Sequence, residues 1–291
     1  MKPASFDYAR PGTLDEAVQA LAGHPEAKVL AGGQSLVPLL SMRLAAPAVL
    51  VDINALPDLD HVRADADGVR IGALARHARV LADAGVARVQ PLVTKALANV
   101  AHATIRNRGT TVGSLVHADA AAEMPMVLRL LDGSVDVVRP AGRRTIPAAE
   151  LYVGPLESSL AHDEIAVEAH FPALPAGSGV AFEEIARRHG DYAMCGVAAV
   201  VAVDGDRVVS ARAGYLSVSD VPVVLDVADA LAGEITDETL AAAGERALED
   251  LDPQADIHAT ADYRAHLVRV LTARVLRAAY DDARARAEGD S

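Results

Sequence analysis

The N-terminal part of the chain alternates between short apolar runs and amphipathic stretches, which predicts strands and helices in alternation. Its predicted elements are a capped helix beginning at Thr13, a strand at 28–31, a second helix capped by Ser35 and a strand at 48–53. The last strand is almost continuously apolar, which is typical of a strand buried on both faces. Because a helix connects the two strands as a crossover, we expect them to be parallel.

The pattern changes near residue 58 and breaks again within a proline- and glycine-rich segment, Pro172 to Gly179. In between, it predicts a strand at 68–74, helices near 76–84 and 88–103, a glycine-bearing loop at 105–114, a helix near 123–132 and strands at 135–138 and 165–171. We therefore predict one domain at 1–175, with subdomains at about 1–57 and 58–175, and a second domain at 179–287.

The C-terminal part combines a predicted hairpin with helical stretches. Apolar segments flank Asp204-Gly205-Asp206, and an Asp-Gly pair between such segments indicates a tight β-turn. Segments rich in Ala, Leu, Glu and Arg predict helices near 222–232, 236–250 and 262–288.

Composition narrows the range of functions. The 291 residues include 27 Lys and Arg against 40 Asp and Glu, a formal charge of −13, which argues against nucleic-acid binding. A nucleotide cofactor must then be held mainly by backbone N–H groups. The single cysteine, Cys195, permits no internal disulfide and cannot hold an iron–sulfur cluster. The chain has neither a signal-like segment nor a long apolar run, so we expect a cytoplasmic protein without membrane insertion.

The first glycine loop, Ala31-Gly32-Gly33-Gln34-Ser35-Leu36, lies between a predicted strand and a predicted helix. Glycine lets a backbone approach a diphosphate closely, and the N–H groups at a helix start attract anions. By itself, the loop is better explained as a tight turn with a helix cap, and it fits neither the G-x-G-x-x-G fingerprint nor the P-loop. A Gly32→Val substitution is expected to block a diphosphate and leave the fold intact.

The second loop runs from Ile105 to Leu115 and has the same ingredients of glycines, hydroxyls and amide donors. His117, Asp119 and Glu123 follow, but no second His stands at ligand spacing, so we predict no metal site. Glu123 can instead accept hydrogen bonds from a ribose. An ordinary polar loop with His117 and Asp119 in local packing is the alternative.

Taken together, the two loops resemble those of the FAD-binding, or medium, subunit of the xanthine dehydrogenase and carbon monoxide dehydrogenase family of molybdenum hydroxylases. Ala31 to Leu40 follows that family's A-G-G-Q-S-L-(hydrophobic)-P-L-L motif, and Ile105 to Pro125 follows its I-R-N-x-G-T to H-A-D to E-(L/M)-P stretch. The segments 71–78, 187–193 and 263–267 are also similar, so the resemblance is nearly end to end. Val112 replaces a family glycine and Ala120 a usual proline. A β-branched Val112 is expected to be awkward at a positive φ beside a diphosphate.

The resemblance implies an α+β fold, with a two-subdomain FAD-binding domain of the PCMH type and a smaller C-terminal domain of sheet and helices. It also implies that Glu123 lies near the adenosine part of FAD and Tyr192 near the isoalloxazine ring. Some family members have Lys near position 183, where this chain has Glu183. The residues expected to bind the cofactor are Ala31, Gly32, Gly33, Gln34, Ser35, Leu36, Thr110, Thr111, Gly113, Ser114, Glu123 and Tyr192.

The function that the resemblance implies is electron transfer within a complex. An iron–sulfur small subunit and a molybdopterin large subunit are the expected partners, in a heterotrimer or its dimer. FAD here would pass electrons to NAD, oxygen or a quinone-linked carrier, and we identify no catalytic residue in the chain. Two alternatives stay open: a self-sufficient flavin oxidase or dehydrogenase using His77, His117 or His189, and a non-catalytic module that has lost FAD. The pocket that selects the substrate would lie on a partner chain.

Overall fold

The computed structural model describes residues 2–233 and 235–289 of the chain. Its first sheet contains three parallel strands in the order β1-β3-β2, and two helices connect them. These elements are β1 (Asp7–Ala9), α1 (Leu14–Ala22), β2 (Ala27–Leu30), α2 (Leu36–Met42) and β3 (Val49–Asp52). All four residues of β3 are buried, so the predicted buried strand and the predicted parallel pairing are confirmed.

A local sequence signal explains how α1 begins, but not how α2 begins. The Thr13–Glu16 capping box is present, and Ala17, Val18 and Leu21 of α1 are buried. The predicted cap at Ser35 is wrong in its chemistry. Ser35 precedes α2, but its backbone is helical and its side chain makes no capping hydrogen bond.

The second sheet has five antiparallel strands in the order β4-β5-β10-β6-β7. Its strands are β4 (Val62–Ala64), β5 (Gly68–Gly72), β6 (Ser134–Arg139), β7 (Gly142–Pro147) and β10 (Ile165–Pro172). The helices between β5 and β6 are α3 (His77–Ala82), α4 (Ala84–Val89), α5 (Pro91–Leu97), α6 (Ala103–Arg106), α7 (Thr111–His117) and α8 (Glu123–Leu130). A short segment before β10 comprises α9 (Ala148–Leu151), β8 (Tyr152–Gly154) and β9 (Glu157–Ser158).

The third sheet is an antiparallel meander, followed by two helices. It consists of β11 (Ser178–Ala186), β12 (Ala193–Asp204), β13 (Arg207–Leu216) and β14 (Val223–Asp226). The helices are α10 (Asp237–Leu248) and α11 (Ala261–Gly289). The predicted hairpin is confirmed, because Asp204 pairs with Arg207 across Gly205. The helix predicted near 222–232 is wrong: the Val-Val-Leu-Asp segment pairs with β13, and only the 3-10 turn Asp229–Leu231 follows.

Both faces of the third sheet are buried. One face carries α11, which approaches β11 so closely that a Cβ on Gly179 would stand 2.7 Å from the Cα of Ala283. The other face meets α8, and a Cβ on Gly214 would stand 2.7 Å from the sulfur of Met126. Val180, Ala198 and Leu216 therefore share a hydrophobic core with the second sheet and its helices. This packing holds the end of β11 beside the start of α8.

Candidate functional site

The two glycine loops are in direct contact, although 70-odd residues separate them in the sequence. A Cβ on Gly32 would stand 2.9 Å from the Cα of Gly109 and 3.1 Å from the backbone N of Thr110. It would be closer still to the carbonyl oxygen of Arg108. Only glycine allows this approach, so Gly32 makes the two predicted loops into one site.

The first loop presents backbone N–H groups that have no partner. Among the described residues, the N–H groups of Gly32, Gly33, Gln34 and Ser35 make no hydrogen bond. Gly33 has a φ of +71°, a conformation that side-chain-bearing residues rarely adopt. The Gln34 side chain donates back to the carbonyl of Gly32 at 3.1 Å, which stiffens the turn. The result is a concave row of donors that suits an anion.

The second loop is shorter and more helical than predicted. Helix α6 ends at Arg106 and α7 begins at Thr111, so only Asn107 to Thr110 connect them. The Thr110 hydroxyl caps α7 by accepting from the N–H of Gly113 at 3.2 Å. The N–H groups of Thr110 and Val112 make no hydrogen bond to any described residue. They are the two N–H groups of this loop that remain free for a ligand.

Val112 does not disturb this loop, which corrects the expectation from the sequence. It lies within α7, outside the residues of positive φ, and its side chain is 2 % exposed in the main hydrophobic core. Helical geometry directs that side chain away from the loop and toward the neighbouring helices. The hydrophobic core therefore accommodates the valine that stands here in place of the family glycine.

Thr111 lies behind the donors. It is fully buried, its hydroxyl pairs with Nδ1 of His77 at 3.2 Å and its N–H donates to the carbonyl of Ala75 at 3.4 Å. Ser114, one turn of helix further, is partly exposed. His77 is itself buried, and burial, followed by the positive charge of Arg106, lowers its pKa to about 4. His77 is thus a neutral support of the loop.

Two side chains outside the loops bind the carbonyls of both. Asn54 donates from Nδ2 to the carbonyl of Ala31 at 2.8 Å, and Arg76 donates from a guanidinium nitrogen to the carbonyl of Arg108 at 2.8 Å. Arg76 also donates to Oδ1 of Asn54 at 2.7 Å. Neither role was predicted from the sequence. Arg76 stood in a family-like segment, which was the available signal, whereas nothing in the sequence marked Asn54.

Glu123 and Tyr192 share one electrostatic environment. Glu123 begins α8, and burial, followed by the negative charge of Glu184, raises its pKa to about 8. Burial also raises the pKa of Tyr192, with further contributions from Asp119 and Glu123, although Tyr192 is 64 % exposed overall. The structure therefore places the predicted adenosine-side and ring-side residues near each other.

The acidic residue that faces this region is Glu184. Glu183, which stands where some family members have Lys, pairs with Arg274 of α11 at 3.0 Å on the opposite face of β11. Glu184 has a buried oxygen without a hydrogen-bond partner among the described residues, and burial raises its pKa to about 7. Within the described part of the chain, no group of three or more His, Cys, Asp or Glu side chains is placed to hold a metal ion. No helix there is both long enough and apolar enough to cross a membrane.

The donor set fits a dinucleotide diphosphate. At least four N–H groups of one loop make no hydrogen bond to any described residue, and the second loop packs against them at Gly32. A diphosphate offers several acceptor oxygens to such a cradle and needs no cluster of basic side chains.

Comparison with known proteins agrees with this fit. The family described as "FAD binding domain in molybdopterin dehydrogenase" matches residues 4–174, and the "CO dehydrogenase flavoprotein C-terminal domain" family matches residues 180–279. The chain is 42% identical to the 6-hydroxypseudooxynicotine dehydrogenase complex subunit alpha of Paenarthrobacter nicotinovorans, over 98% of this chain and 97% of that one.

Solved structures are similar over the same length. Quinoline 2-oxidoreductase from Pseudomonas putida 86 has a chain with a TM-score of 0.93 and 39% identity, covering 98% of this chain and 100% of that one. Carbon monoxide dehydrogenase from Hydrogenophaga pseudoflava has one with a TM-score of 0.91 and 33% identity, covering 97% and 99%. These likenesses confirm the predicted α+β fold and FAD as the cofactor. The chain belongs to the family of FAD-binding medium subunits of molybdenum hydroxylase-type dehydrogenases, and it is one oxidoreductase subunit of a multi-subunit complex.

Proposed function

We propose that the two loops hold the FAD diphosphate between them and that the chain relays electrons from a partner subunit to an external acceptor. The single observation that carries the proposal is the contact of Gly32 with the Arg108–Thr110 backbone beside a row of unpaired N–H groups. In this arrangement the unpaired N–H groups of Gly32 to Ser35 and of Thr110 bind the diphosphate, and Ala31, Leu36, Gly113 and Ser114 line the cradle around them. Thr111 supports the second loop from behind.

Glu123 and Tyr192 are the two side chains outside the loops that contact the cofactor in this proposal. With a pKa of about 8, Glu123 is largely protonated near neutral pH, so its carboxyl can both donate to and accept from a ribose hydroxyl. Tyr192 offers an exposed aromatic face to the isoalloxazine ring. The opposite placement of Glu183 removes it from the ring side, where Glu184 stands instead.

The redox chemistry of FAD and the single cysteine of this chain indicate which partners it needs. When bound, FAD takes up electrons one at a time and gives them up in pairs, so it connects one-electron centres with a two-electron acceptor. We propose that the one-electron centres are iron–sulfur clusters on a small subunit, fed by a molybdopterin large subunit, in a heterotrimer or its dimer. The only cysteine, Cys195, is buried and cannot supply a cluster. We also propose a cytoplasmic location for the complex.

A self-sufficient oxidase that uses His77 as its base finds little support. His77 is buried, and its pKa of about 4 makes it a poor base near neutral pH. A module that has lost FAD was suggested by Val112, whose side chain lies in the core. We therefore favour electron relay over both alternatives.

We further propose that the chain divides into a FAD domain, 1–175, with subdomains at about 1–57 and 58–175, and a C-terminal domain, 179–287. The change from the second sheet at β10 to the third at β11 supports this division. The shared core on one face of the third sheet makes the two domains pack tightly.

The test uses the chain in its native complex. An affinity-tagged chain is purified from its host, and iron, molybdenum and flavin are measured in the complex and in the chain alone. If the chain relays electrons, iron and molybdenum should be found only in the complex. The flavin absorbance at about 450 nm should decrease when the complex is reduced. A tagged chain that brings down neither metal, or one that turns over a substrate by itself, would contradict the proposal.

A further inference from the structure

We infer that Asn54 and Arg76 are positioning residues that fix the FAD cradle: together they hold the two loops so that their free N–H groups face one ligand. The inference rests on the proposed function of the loops and extends it to residues outside them. Neither side chain needs to touch the cofactor. Their contacts end on Ala31 and Arg108, one carbonyl in each loop.

The orientation of the Asn54 amide is fixed by its neighbours. Its Nδ2 donates to Oδ1 of Asp52 at 2.6 Å, while its Oδ1 accepts from Arg76 at 2.7 Å. A carboxylate only accepts and a guanidinium only donates. The reverse orientation would therefore place the amide oxygen against the carboxylate and the amide nitrogen against the guanidinium, and neither pair can form a hydrogen bond. Burial favours the neutral form of Asp52, but hydrogen bonds from Tyr8 and Asn54 outweigh it and leave the pKa of Asp52 below its ordinary value. The carboxylate that anchors Asn54 therefore stays ionised.

The hydrogen bond from Asn54 acts on a donor of the cradle through the peptide plane. The carbonyl of Ala31 and the N–H of Gly32 belong to one planar trans peptide, so they point in opposite directions. Holding the carbonyl on Asn54 aims the Gly32 N–H toward the ligand side. The same logic applies in the second loop, where the N–H of His77 holds the carbonyl of Gly109 at 3.0 Å and thereby aims the Thr110 N–H.

Arg76 joins these two supports. One guanidinium nitrogen binds Oδ1 of Asn54 and another binds the carbonyl of Arg108, and Arg76 directly precedes His77 at the start of α3. A planar guanidinium fixes the angle between its two acceptors, whereas an ammonium on a flexible stem does not. Arg76→Lys should therefore keep the charge and lose the alignment of the loops.

The experiment titrates FAD into the full chain and follows the quenching of flavin fluorescence, for wild type, Asn54→Ala, Arg76→Lys and the double variant. Arg79→Lys is the matched control, because Arg79 lies on the same helix and binds the carbonyl and carboxylate of Asp60 at 3.0 and 2.7 Å, away from the loops. The melting temperature of each apo protein is measured in parallel.

Each single variant should raise the Kd for FAD by about tenfold to a hundredfold, as expected when a hydrogen bond to a charged group is lost. The double variant should lose little more than the worse single variant, because the two residues act as a unit. Arg79→Lys should bind like wild type.

Wild-type affinity in Arg76→Lys or Asn54→Ala, or losses that simply add in the double variant, would overturn the inference. So would lower melting temperatures with unchanged affinity of the folded protein, which is the signature of a merely structural role. If wild type itself fails to bind FAD, the proposed function of the loops fails instead, and the inference falls with it.

Discussion

The carbonyl oxygen of Arg108 lies against the α-carbon of Gly32, closer than any side chain at that position would allow. This contact gives Gly32 a role that its loop sequence does not reveal. The glycine is required first by the neighbouring loop, and only then by the space that a diphosphate needs. The expectation that a larger residue would block the ligand and leave the fold intact is revised accordingly.

Gly32→Ala should therefore weaken both the fold and the binding of FAD. Its Cβ must push against the backbone of Arg108 and Gly109, which we expect to lower the free energy of unfolding of the apo protein by about 1–3 kcal/mol. Urea unfolding and FAD titration measure the two effects. Gly12→Ala is the control, since a Cβ there meets its nearest neighbour, a carboxylate oxygen of Glu16, at an ordinary 3.6 Å. Unchanged stability in Gly32→Ala would contradict the close loop contact.

Ser35→Asp should separate ligand binding from folding. The Ser35 side chain makes no capping bond that the substitution could remove, and the dipole of α2 favours a carboxylate at its start, so apo stability should stay equal or rise by about 0.3–1 kcal/mol. The same carboxylate would repel a diphosphate and should raise the Kd for FAD about tenfold or more.

Two control variants complete that test. Ser35→Ala removes only the hydroxyl, and Ser41→Asp adds the same charge about 9 Å further along α2. Both should bind FAD more tightly than Ser35→Asp. If Ser35→Asp binds FAD as wild type does, the first loop does not hold the diphosphate.

Val112→Ala should behave as a core variant. Removing two buried methyl groups should cost about 1–3 kcal/mol of unfolding free energy, while the folded protein keeps its FAD affinity within about twofold. Val37→Ala on α2 is the control, because Val37 is exposed and its truncation should change stability little. A large gain or loss of FAD affinity in Val112→Ala would place this side chain at the cofactor, as the sequence first suggested.

Glu123 should make the folded chain less stable as the pH rises. Burial, followed by the charge of Glu184, lifts the pKa of Glu123 from its ordinary 4.5 to about 8 in the folded chain. Between these values the unfolded chain binds fewer protons than the folded one, so stability falls with rising pH and levels off above about 8.

Glu123→Gln should remove its share of this slope and leave the part that the raised pKa of Glu184 contributes, and above pH 8 it should be more stable than wild type by about 1–2 kcal/mol after allowance for solvent screening. Urea midpoints measured from pH 5 to about 9 check this. Glu26→Gln, at an exposed site, should keep the slope of wild type. An unchanged slope in Glu123→Gln would show that the carboxyl ionises normally in the folded chain.

The local part of this site could be predicted from the sequence, because its signals lie close together in the chain. The parallel strands β2 and β3 followed from apolar runs and a crossover helix, and the donors of the first loop followed from Gly32 and Gly33. The start of α7 at Thr111 was not foreseen. The Thr110 hydroxyl accepts a hydrogen bond from the N–H of Gly113, so the second half of the loop forms a helix. The side chain of Val112 therefore lies in the core.

The long-range part could not be predicted in this way. The bond from Arg76 to Asn54 spans 22 residues and the bond from Arg76 to Arg108 spans 32, and neither follows from a periodic pattern. Strand β14 was mistaken for a helix for a similar reason. The local composition around this segment favours a helix, but its antiparallel pairing with β13 makes it a strand.

Hydrogen–deuterium exchange of the full chain, with and without FAD, tests the central claim most directly, because it reports on the N–H groups themselves. The free amides of Gly32, Gly33, Gln34, Ser35 and Thr110 should exchange quickly in the apo protein and slow together when FAD is added. The 204–207 hairpin should not respond. Slowing in only one of the two loops, or in neither while FAD is bound, would contradict a cradle formed by both.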